Sequence, residues 1–324
     1  MNHSVRVIAS MVFVVGTLIL FTSSSRLVDG VLTQWKTSFE DNDRTNAAFR
    51  RHYSTVDAMR YILYGVGDQY SPYDQQLVEY IRGHISQPSL NRPRHLTTTE
   101  KTDASQEGQS AFVDKFLSGR RGGFFIECGA ADGEKFSNSL FFELERNWTG
   151  ILIEANQAFH RALLDKNRRA YVLHACLSIE RRPTTVVMQP AGLVGGIVSK
   201  MHQSHVVFMG ASKKKQPAVA MNCFPLNAIM AALDVSHVDY LSLDVEGPEI
   251  EILRTVDWTR LRIDVITVEY RIYGGSKIGI DKSATLKKLK DLRTFFHDTG
   301  LYREVAVLPP GNEVDGLDIV LARI

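Results

Sequence analysis

Neither sign of charge is much in excess along the 324-residue chain, which has 38 lysines and arginines against 36 aspartates and glutamates and a formal net charge of +2. A protein that binds nucleic acid through the phosphates needs a clustered basic surplus. The basic run at 213–215 is short and indicates a solvated loop. We therefore expect no nucleic-acid partner.

Cysteine is scarce as well, with only Cys128, Cys176 and Cys223 in the chain. There is no CxxC pair and no His/Cys group at zinc-ligand spacing, so the sequence predicts no metal site. Each cysteine lies in or beside an apolar, strand-like run, and an odd number excludes a fully paired framework. These features predict buried thiols rather than disulfides.

One long charge-free stretch is present, VIASMVFVVGTLILF at 7–21, and arginines flank it. A helix over 5–22 would be about 27 Å long, which is close to the thickness of a thin bilayer. We predict a signal-anchor helix at 7–22 and a short cytoplasmic tail at 1–6, with a cleaved signal peptide as the alternative. In both cases the rest of the chain enters the secretory lumen.

Residues 23–107 are predicted to form a stem and linker, because most of this segment is polar. Within it, Ser71 as a cap and Pro72 in the first turn predict a helix near 72–85. Residues 86–109 offer almost nothing to bury, which is typical of a linker or a loop that follows the surface.

Short apolar strands alternate with helical segments from residue 108 to residue 324. This alternation predicts an α/β fold with a mostly parallel sheet that is covered on both faces and doubly wound by right-handed crossovers. The last two strands, predicted at 302–308 and 318–323, are joined by a short connection. One of them must therefore run antiparallel.

The stretch GFFIECGAADGEKFSNS at 123–139 ends an apolar strand in an acid and two glycines. In a doubly wound sheet, ligands bind outside the carboxyl ends of the strands. Gly129 and Gly133 would let the backbone turn tightly and approach a ligand, and amides at the start of the next helix would face it. The Glu127 carboxylate would hold a cationic ammonium group or accept hydrogen bonds.

Glu154 ends the second strand, 27 residues after Glu127, where nucleotide-binding sheets place an acid against ribose hydroxyls. Neither GxGxxG nor GxxxxGK[ST] occurs, which disfavours an NAD-type oxidoreductase and a P-loop protein. A nucleoside with an amino-acid tail, namely S-adenosylmethionine, would use both acids. The alternative is that the two acids only cap strand ends with water or helix amides.

Six short motifs together resemble an FkbM-type methyltransferase domain over residues 108–324. They are FFIECGAADG, GILIEANQ, HACLS, CFPLNAIM, DYLSLDVEGPEIEIL and ITVEYR. The resemblance implies a Rossmann-like fold and S-adenosylmethionine as cofactor. With the segment at 7–22, the expected architecture is this methyltransferase fold preceded by a single N-terminal transmembrane helix.

Four further stretches are similar to the Star-like family of animal membrane proteins. They are EGQSAFVDKFL, DGEKFSNSLFFE, NWTGILIEAN and KNRRAYVLHACLS. That family implies a signal-anchor, a lumenal methyltransferase-like domain and a role in the trafficking of EGF-receptor ligands through the ER and Golgi.

The FkbM resemblance assigns site residues to matching motif positions. The first cofactor motif, the ribose-binding acid and the loop near the adenine are matched by Glu127, Gly129, Ala130, Gly133, Glu154 and Ser178. Asp244 and Glu246 match the acidic motif beside the methyl group, where Asp244 would act as a general base or orient the ammonium. Capping of the following helix is the alternative for Asp244. Glu269, at the end of the fifth strand, is a further candidate on the same rim.

The chain departs from the family pattern after Gly-Ala, where many active relatives carry Asn and this chain has Ala131 and Asp132. An extra carboxylate there would hold a divalent cation or repel the carboxylate of the cofactor, so the departure bears on activity rather than on fold. His202 and His205 lie in a loop at 192–216, and we assign them to the surface rather than to a metal.

The leading interpretation is a membrane-anchored, S-adenosylmethionine-dependent enzyme that transfers methyl to the hydroxyl oxygen of an unidentified substrate. The alternative is a non-catalytic Star-like protein that acts in ER-to-Golgi trafficking of membrane cargo such as EGF-receptor ligands. Both predict a single-pass type II membrane protein of the ER and Golgi with a lumenal domain. Asn147, in the sequon NWT, is then the expected glycosylation site, whereas Asn2 stays unmodified.

Overall fold

The computed structural model describes residues 71–97, 103–210, 217–274, 279–311 and 313–324. The predicted tail at 1–6, the predicted anchor at 7–22 and the stem up to residue 70 lie outside the described residues. Within the described part of the chain, no helix is both long enough and apolar enough to cross a bilayer.

Helices and strands alternate along most of the described chain. The helices are α1 (Gln75–His84), α2 (Gln109–Phe116), α3 (Leu140–Glu145), α4 (Gln157–Lys166), α5 (Gln203–Gly210), α6 (Leu226–Ala232), α7 (Glu249–Thr255) and α8 (Lys282–Thr299). The strands are β1 (Phe124–Cys128), β2 (Thr149–Glu154), β3 (Tyr171–His174), β4 (Cys176–Leu177), β5 (Thr184–Gln189), β6 (Gly196–Ile197), β7 (Val219–Phe224), β8 (His237–Leu243), β9 (Arg262–Glu269), β10 (Tyr273–Gly274), β11 (Gly279–Ile280), β12 (Tyr302–Leu308) and β13 (Asp318–Arg323).

The main sheet has seven strands in the order β12-β13-β9-β8-β1-β2-β3. β1, β2, β3, β8 and β9 pair in parallel, and β13 runs antiparallel between β9 and β12. The chain moves outwards from β1 to β3 and later returns to β8 on the other side of β1. This arrangement confirms the mostly parallel, doubly wound sheet, and it places the ligand crevice expected for such sheets at the carboxyl ends of β1 and β8.

Two apolar clusters cover the two faces of this sheet, because successive side chains of a strand point to opposite faces. Ile126 and Leu241 belong to the cluster that includes side chains of α6, α7 and α8. Their neighbours Phe125 and Tyr240 belong to the cluster that includes side chains of α3 and α4. The central strands are therefore buried on both faces, as their nearly continuous apolar sequence predicts.

The strand predicted at 171–177 is divided between two sheets, which corrects the sequence analysis. β3 ends at His174 and pairs with β2 in the main sheet. After Ala175 the chain enters a separate four-stranded sheet, in the order β4-β7-β5-β6, where β4 pairs with β7. The apolar run contains no local signal for this change of partner, because pairing is decided by strands distant in sequence.

Helix α1 is part of the folded domain rather than of a stem. Its cap is Asp74, not Ser71, since the Asp74 carboxylate accepts hydrogen bonds from the amides of Gln76 and Leu77. Three apolar side chains of α1 are buried in the main core: Leu77, Tyr80 and Ile81. Arg82 Nε also donates to the carbonyl of Ala232 in α6 over 2.8 Å.

The described residues that follow α1 are also held against the domain. Ser86 forms a bridge with Val172 at the free edge of β3. The amide of His95 donates to the Lys166 carbonyl over 2.9 Å. The folded unit therefore begins well before residue 108, and the segment at 86–97 is a loop that follows the surface.

Cys176 and Cys223 form a disulfide, which corrects the prediction of three buried thiols. They are register partners in the β4–β7 pair, with their Cα atoms 4.3 Å apart. Their sequence separation of 47 gives no indication of this contact, because the contact depends on which strands pair. Cys128 alone remains a free, buried thiol.

Candidate functional site

A cavity of about 610 Å³ opens at the carboxyl ends of β1, β2 and β8, at the reversal of strand order. This volume is within the range of small-molecule sites. Its lining includes most of the site residues predicted from the sequence: Glu127, Gly129, Ala130, Glu154, Asp244, Glu246 and Glu269. These strand ends therefore meet at one cavity.

Gly129 has no alternative at its position, because the backbone turns there beside another strand. Its φ is +80°, and a Cβ atom would lie 1.9 Å from the carbonyl oxygen of Asp244. The amide of Asp244 in turn donates to the Cys128 carbonyl over 3.2 Å. The glycine thus brings the ends of β1 and β8 into contact at the floor of the cavity.

Glu127 is buried, and residues of the following loop contact its carboxylate. It accepts hydrogen bonds from the Asn138 amide over 2.7 Å, from Ser137 Oγ over 2.8 Å and from Ser139 Oγ. Burial raises the pKa of this carboxyl, while Arg168 and these donors act in the opposite direction. Glu127 therefore positions the loop at 137–139 in addition to lining the cavity.

Asn138, which the sequence analysis did not single out, presents an unsatisfied acceptor at this site. Its Nδ2 donates to Ser242 Oγ over 2.9 Å, and its backbone is held by Glu127. Its Oδ1 is buried and has no hydrogen-bond partner among the described residues. Because Asn138 lines the cavity, this oxygen suits a ligand that donates hydrogen bonds, such as one with an ammonium group.

Glu154 lies at the end of β2 and is 6% exposed. Its carboxylate accepts hydrogen bonds from the amide of Ala131 over 2.7 Å and from that of Asn156 over 2.6 Å. Burial raises its pKa to about 7 in spite of these donors. The alternative that this acid binds nearby amides is thus observed, and each carboxylate oxygen keeps a further lone pair for a ribose hydroxyl.

The departure at Ala131 and Asp132 leaves the cavity unobstructed. Ala131 donates its backbone amide to Glu154, and this contact does not depend on the side chain at position 131. The Asp132 carboxylate accepts hydrogen bonds from the amides of Glu134 and Lys135. Asp132 therefore closes a turn and is not among the residues that line the cavity.

Asp244, Glu246 and Glu269 form an acidic cluster, in which one oxygen of each residue lies within 4.8 Å of the others. Burial together with the neighbouring carboxylates raises the pKa of all three. Glu246 adopts a positive φ of 62°, which is uncommon for a residue with a side chain. The local backbone thus holds this carboxylate in place beside the other two.

No side chain caps α7, so the alternative role of Asp244 as a helix cap is not observed. Glu249 Oε1 accepts hydrogen bonds from the amides of Val245 and Gly247, and no cap bond is made at the start of α7 itself. Glu249 Oε2 lies 2.8 Å from Lys288 Nζ of α8. Neither residue was predicted from the sequence. Glu249 could have been, because an acid in the first turn of a helix interacts favourably with the amides at that end.

Gly133 and Ser178, also predicted to bind the cofactor, do not line the cavity. A Cβ atom at Gly133 would lie 2.2 Å from Leu163 Cδ1, so this glycine serves the packing of α4. Ser178 Oγ donates to the Arg182 carbonyl over 2.7 Å and accepts from the Glu180 amide. Its hydroxyl therefore closes a turn after β4.

The mouth of the cavity is mostly apolar, and several loops contribute to it. They contribute Phe136, Leu193, Val194, Ile197 and Tyr273, together with Phe159 and Met188 from neighbouring elements. His202 lies in one of these loops. Among the described residues, two groups of acidic and histidine side chains are close enough to share a metal ion, and His202 belongs to neither.

Asn147 is exposed, at the turn between α3 and β2. This turn precedes β2, whereas the cavity lies at the opposite, carboxyl end of that strand. A modification of Asn147 would therefore not block the cavity.

Three solved structures show what the chain is similar to. The FkbM methyltransferase of Methylobacillus flagellatus KT has 13% identity, over 63% of this chain and 44% of that chain, and a TM-score of 0.35. The precorrin-6y C5,15-methyltransferase of Geobacter metallireducens GS-15 has 16% identity, over 70% of this chain and 93% of that chain, and a TM-score of 0.36. The fibrillarin of Aeropyrum pernix in complex with S-adenosyl-L-methionine has 12% identity, over 71% of this chain and 87% of that chain, and a TM-score of 0.36. No curated protein matches the chain.

The family model described as "Methyltransferase FkbM domain" matches residues 127–300, just over half of the chain. This range contains the strand-end acids and the acidic cluster. The residues present fit the cofactor of such an enzyme, since the cavity is of suitable size and Asn138 offers a free buried acceptor. The match confirms S-adenosylmethionine as the cofactor predicted from the sequence. The chain belongs to the FkbM methyltransferase domain family.

Proposed function

We propose that this chain is a membrane-anchored methyltransferase that transfers methyl from S-adenosylmethionine to a hydroxyl oxygen. One observation carries the proposal: three carboxylates with raised pKa meet at the carboxyl ends of β8 and β9, in the cavity that also holds Glu154. When bound, the cofactor supplies a methyl group whose bond to sulfur breaks as its bond to the acceptor oxygen forms. The hydroxyl proton must then pass to a base.

Asp244 is the proposed base. It lines the cavity, and its carboxyl has a pKa raised from the usual acidic range towards neutrality by burial and by Glu249. A base in that range is ionised at neutral pH and is still basic enough to accept a proton as an oxygen–carbon bond forms. The acceptor would enter over the apolar mouth of the cavity, which favours a substrate with an apolar part next to its hydroxyl.

Glu154 and Asn138 are proposed to bind the cofactor. The Glu154 carboxylate would accept hydrogen bonds from the ribose, and Asn138 Oδ1 would accept one from the ammonium group. Glu127 acts mainly by positioning Asn138, through the hydrogen bond to its backbone amide.

The test is calorimetric titration of S-adenosylmethionine into the full chain, purified in detergent. Charge-assisted hydrogen bonds are each worth about 1.5–3 kcal/mol, so Glu154→Gln should weaken Kd by about 10–150-fold. Ser178→Ala is the matched control, because Ser178 lies outside the cavity, and it should leave Kd unchanged. Formation of S-adenosylhomocysteine with hydroxyl-bearing acceptors then measures transfer. Absence of binding to the folded chain would favour the non-catalytic alternative.

We also propose that the domain is lumenal and anchored by the segment at 7–22. The Cys176–Cys223 disulfide supports this location, because disulfides persist in oxidising compartments and are rare in the cytosol. The exposed sequon at Asn147 is compatible with the same location. The ER and Golgi are the proposed compartments, with a hydroxyl-bearing substrate or a membrane cargo protein as partner.

A further inference from the structure

The acidic cluster lies beside a buried lysine, Lys288, that is paired with another carboxylate. Asp244, Glu246 and Glu269 each place an oxygen within 4.8 Å of the others. The ammonium of Lys288 lies 2.8 Å from a fourth carboxylate, that of Glu249, which also accepts hydrogen bonds from the loop before α7. The charge of Lys288 also acts on Glu246 and Glu269.

Glu269 supplies a second, independent observation. Its side chain is 2% exposed and lines the cavity, and its Oε2 has no hydrogen-bond partner among the described residues. Glu269 also lies against Asp244, where only a shared proton or a cation can offset the repulsion of two carboxylates. A buried carboxylate oxygen without a donor is typical of a site that holds an ion.

The second grouping of acids among the described residues differs in this respect. Asp239 and Asp264 lie with His237 at the amino-terminal ends of the central strands. Arg120 Nη1 donates to both aspartates, so a guanidinium already balances their charge. In the cluster beside the cavity, by contrast, Glu269 Oε2 receives no hydrogen bond from the described residues.

We propose that Asp244, Glu246 and Glu269 bind one hard divalent cation of the Mg²⁺, Mn²⁺ or Ca²⁺ class. All three ligands are carboxylate oxygens, which such cations prefer, and no imidazole or thiolate contributes. Oxygens on opposite sides of the ion lie about 4.2 Å apart for Mg²⁺ and about 4.6–5.2 Å apart for Ca²⁺. The three oxygens lie within 4.8 Å of one another, so the larger Ca²⁺ fits this limit and Mg²⁺ fits it after the oxygens move closer together.

Three protein ligands leave coordination positions open towards the cavity. An acceptor hydroxyl bound there would have a lowered pKa, which would ease loss of its proton to a neighbouring carboxylate. This catalytic consequence rests on the proposed function, whereas binding of the cation does not.

The experiment uses the full chain in detergent, stripped with EDTA and then titrated with MnCl₂ in the absence of S-adenosylmethionine. Loss of the electron paramagnetic resonance signal of free Mn²⁺ measures binding. We expect one site per chain, emptied by competing Mg²⁺ or Ca²⁺. Glu269→Gln and Asp244→Asn should each weaken Mn²⁺ binding at least tenfold. Glu251→Gln, on the outer side of α7, is the matched control and should leave it unchanged.

Thermal melting would establish that each variant is folded, and two near-isosteric variants guard against the failure of one. No uptake of Mn²⁺ by the folded wild type would overturn the inference, and so would unaltered uptake by both cluster variants. Calorimetry with S-adenosylmethionine on the same EDTA-treated sample separates the two proposals. Cofactor binding without Mn²⁺ binding would refute only the cation site, and Mn²⁺ binding without cofactor binding would refute only the proposed function.

Discussion

At the residue scale, Glu154 is a buried carboxyl, and burial outweighs its amide donors in controlling its ionisation. Its pKa is raised from 4.5 in the unfolded chain to about 7, with burial as the largest cause. A carboxyl whose pKa is raised on folding contributes stability that is complete below the unfolded pKa. That contribution is lost as the pH rises through the folded pKa.

We therefore predict that wild type loses stability relative to Glu154→Gln between pH 4.5 and pH 7, because the amide of the variant does not titrate. The relative loss should be about 3 kcal/mol, at 1.36 kcal/mol per pKa unit. Urea unfolding of both proteins across this range measures it. Since histidines and other acids titrate in both proteins, their contributions cancel in the difference. Parallel curves of unfolding free energy against pH would show that the pKa of Glu154 is not raised on folding.

Gly129 and Gly122 allow a matched comparison at the same scale, since both have a positive φ. At Gly122 a Cβ atom would have no neighbour within 4 Å, whereas at Gly129 it would lie 1.9 Å from a carbonyl oxygen. Gly122→Ala should cost only the left-handed backbone penalty of about 1–2 kcal/mol. Gly129→Ala should cost at least about 3 kcal/mol, because β1 and β8 must move apart. Equal losses in urea unfolding would contradict the close contact.

At the element scale, the disulfide joins β4 to β7 and so fixes one edge of the second sheet. Its closed loop spans 47 residues of sequence separation, and cross-links of this kind typically stabilise by about 2–4 kcal/mol. The double variant Cys176→Ser, Cys223→Ser should lose that amount in urea unfolding. Alkylation of the unfolded, unreduced protein should label Cys128 alone. Labelling of all three cysteines would show that the bridge is absent.

The second sheet matters to the site because several of its strands reach the cavity. Cys176 and Leu177 of β4, Met188 of β5 and Ile197 of β6 all line it. Loss of the disulfide should therefore disturb the cavity wall as well as global stability.

At the scale of the whole molecule, the proposed lumenal location predicts one N-linked glycan. Asn147 is exposed and lies at the end of the domain opposite the cavity, so a glycan there is compatible with folding and with ligand binding. Expressed in animal cells, the chain should shift on gels after endoglycosidase treatment, and Asn147→Gln should abolish that shift. Retention in the membrane pellet after carbonate extraction is the accompanying control for the anchor.

A glycan on Asn2 would instead put the amino terminus in the lumen and the domain in the cytosol. A soluble chain beginning near Arg26 would show a cleaved signal peptide in place of the anchor. Each outcome contradicts a different part of the proposed topology.

Much of the fold and part of the site could be predicted because their signals are local. Short apolar runs between helices indicate a parallel sheet whatever their partners are. An acid that directly follows such a run lies at the carboxyl edge of the sheet, so Glu127, Glu154, Asp244 and Glu269 were placed on one rim by sequence position alone. The positive φ required at Gly129 was likewise signalled by the residue itself.

Contacts between distant segments were decided only by the tertiary structure. The pairing of β4 with β7 created the disulfide, and the packing of α8 on α7 brought Lys288 to Glu249. Ser178 contacts its own loop instead of the cavity, because its hydroxyl donates to the backbone carbonyl four residues further along the chain. The periodicity of apolar residues indicates which face of an element is buried, but it does not indicate strand order or register. The sequence by itself therefore determined the sheet and its acidic rim, whereas the register of the strands decided which of those acids meet.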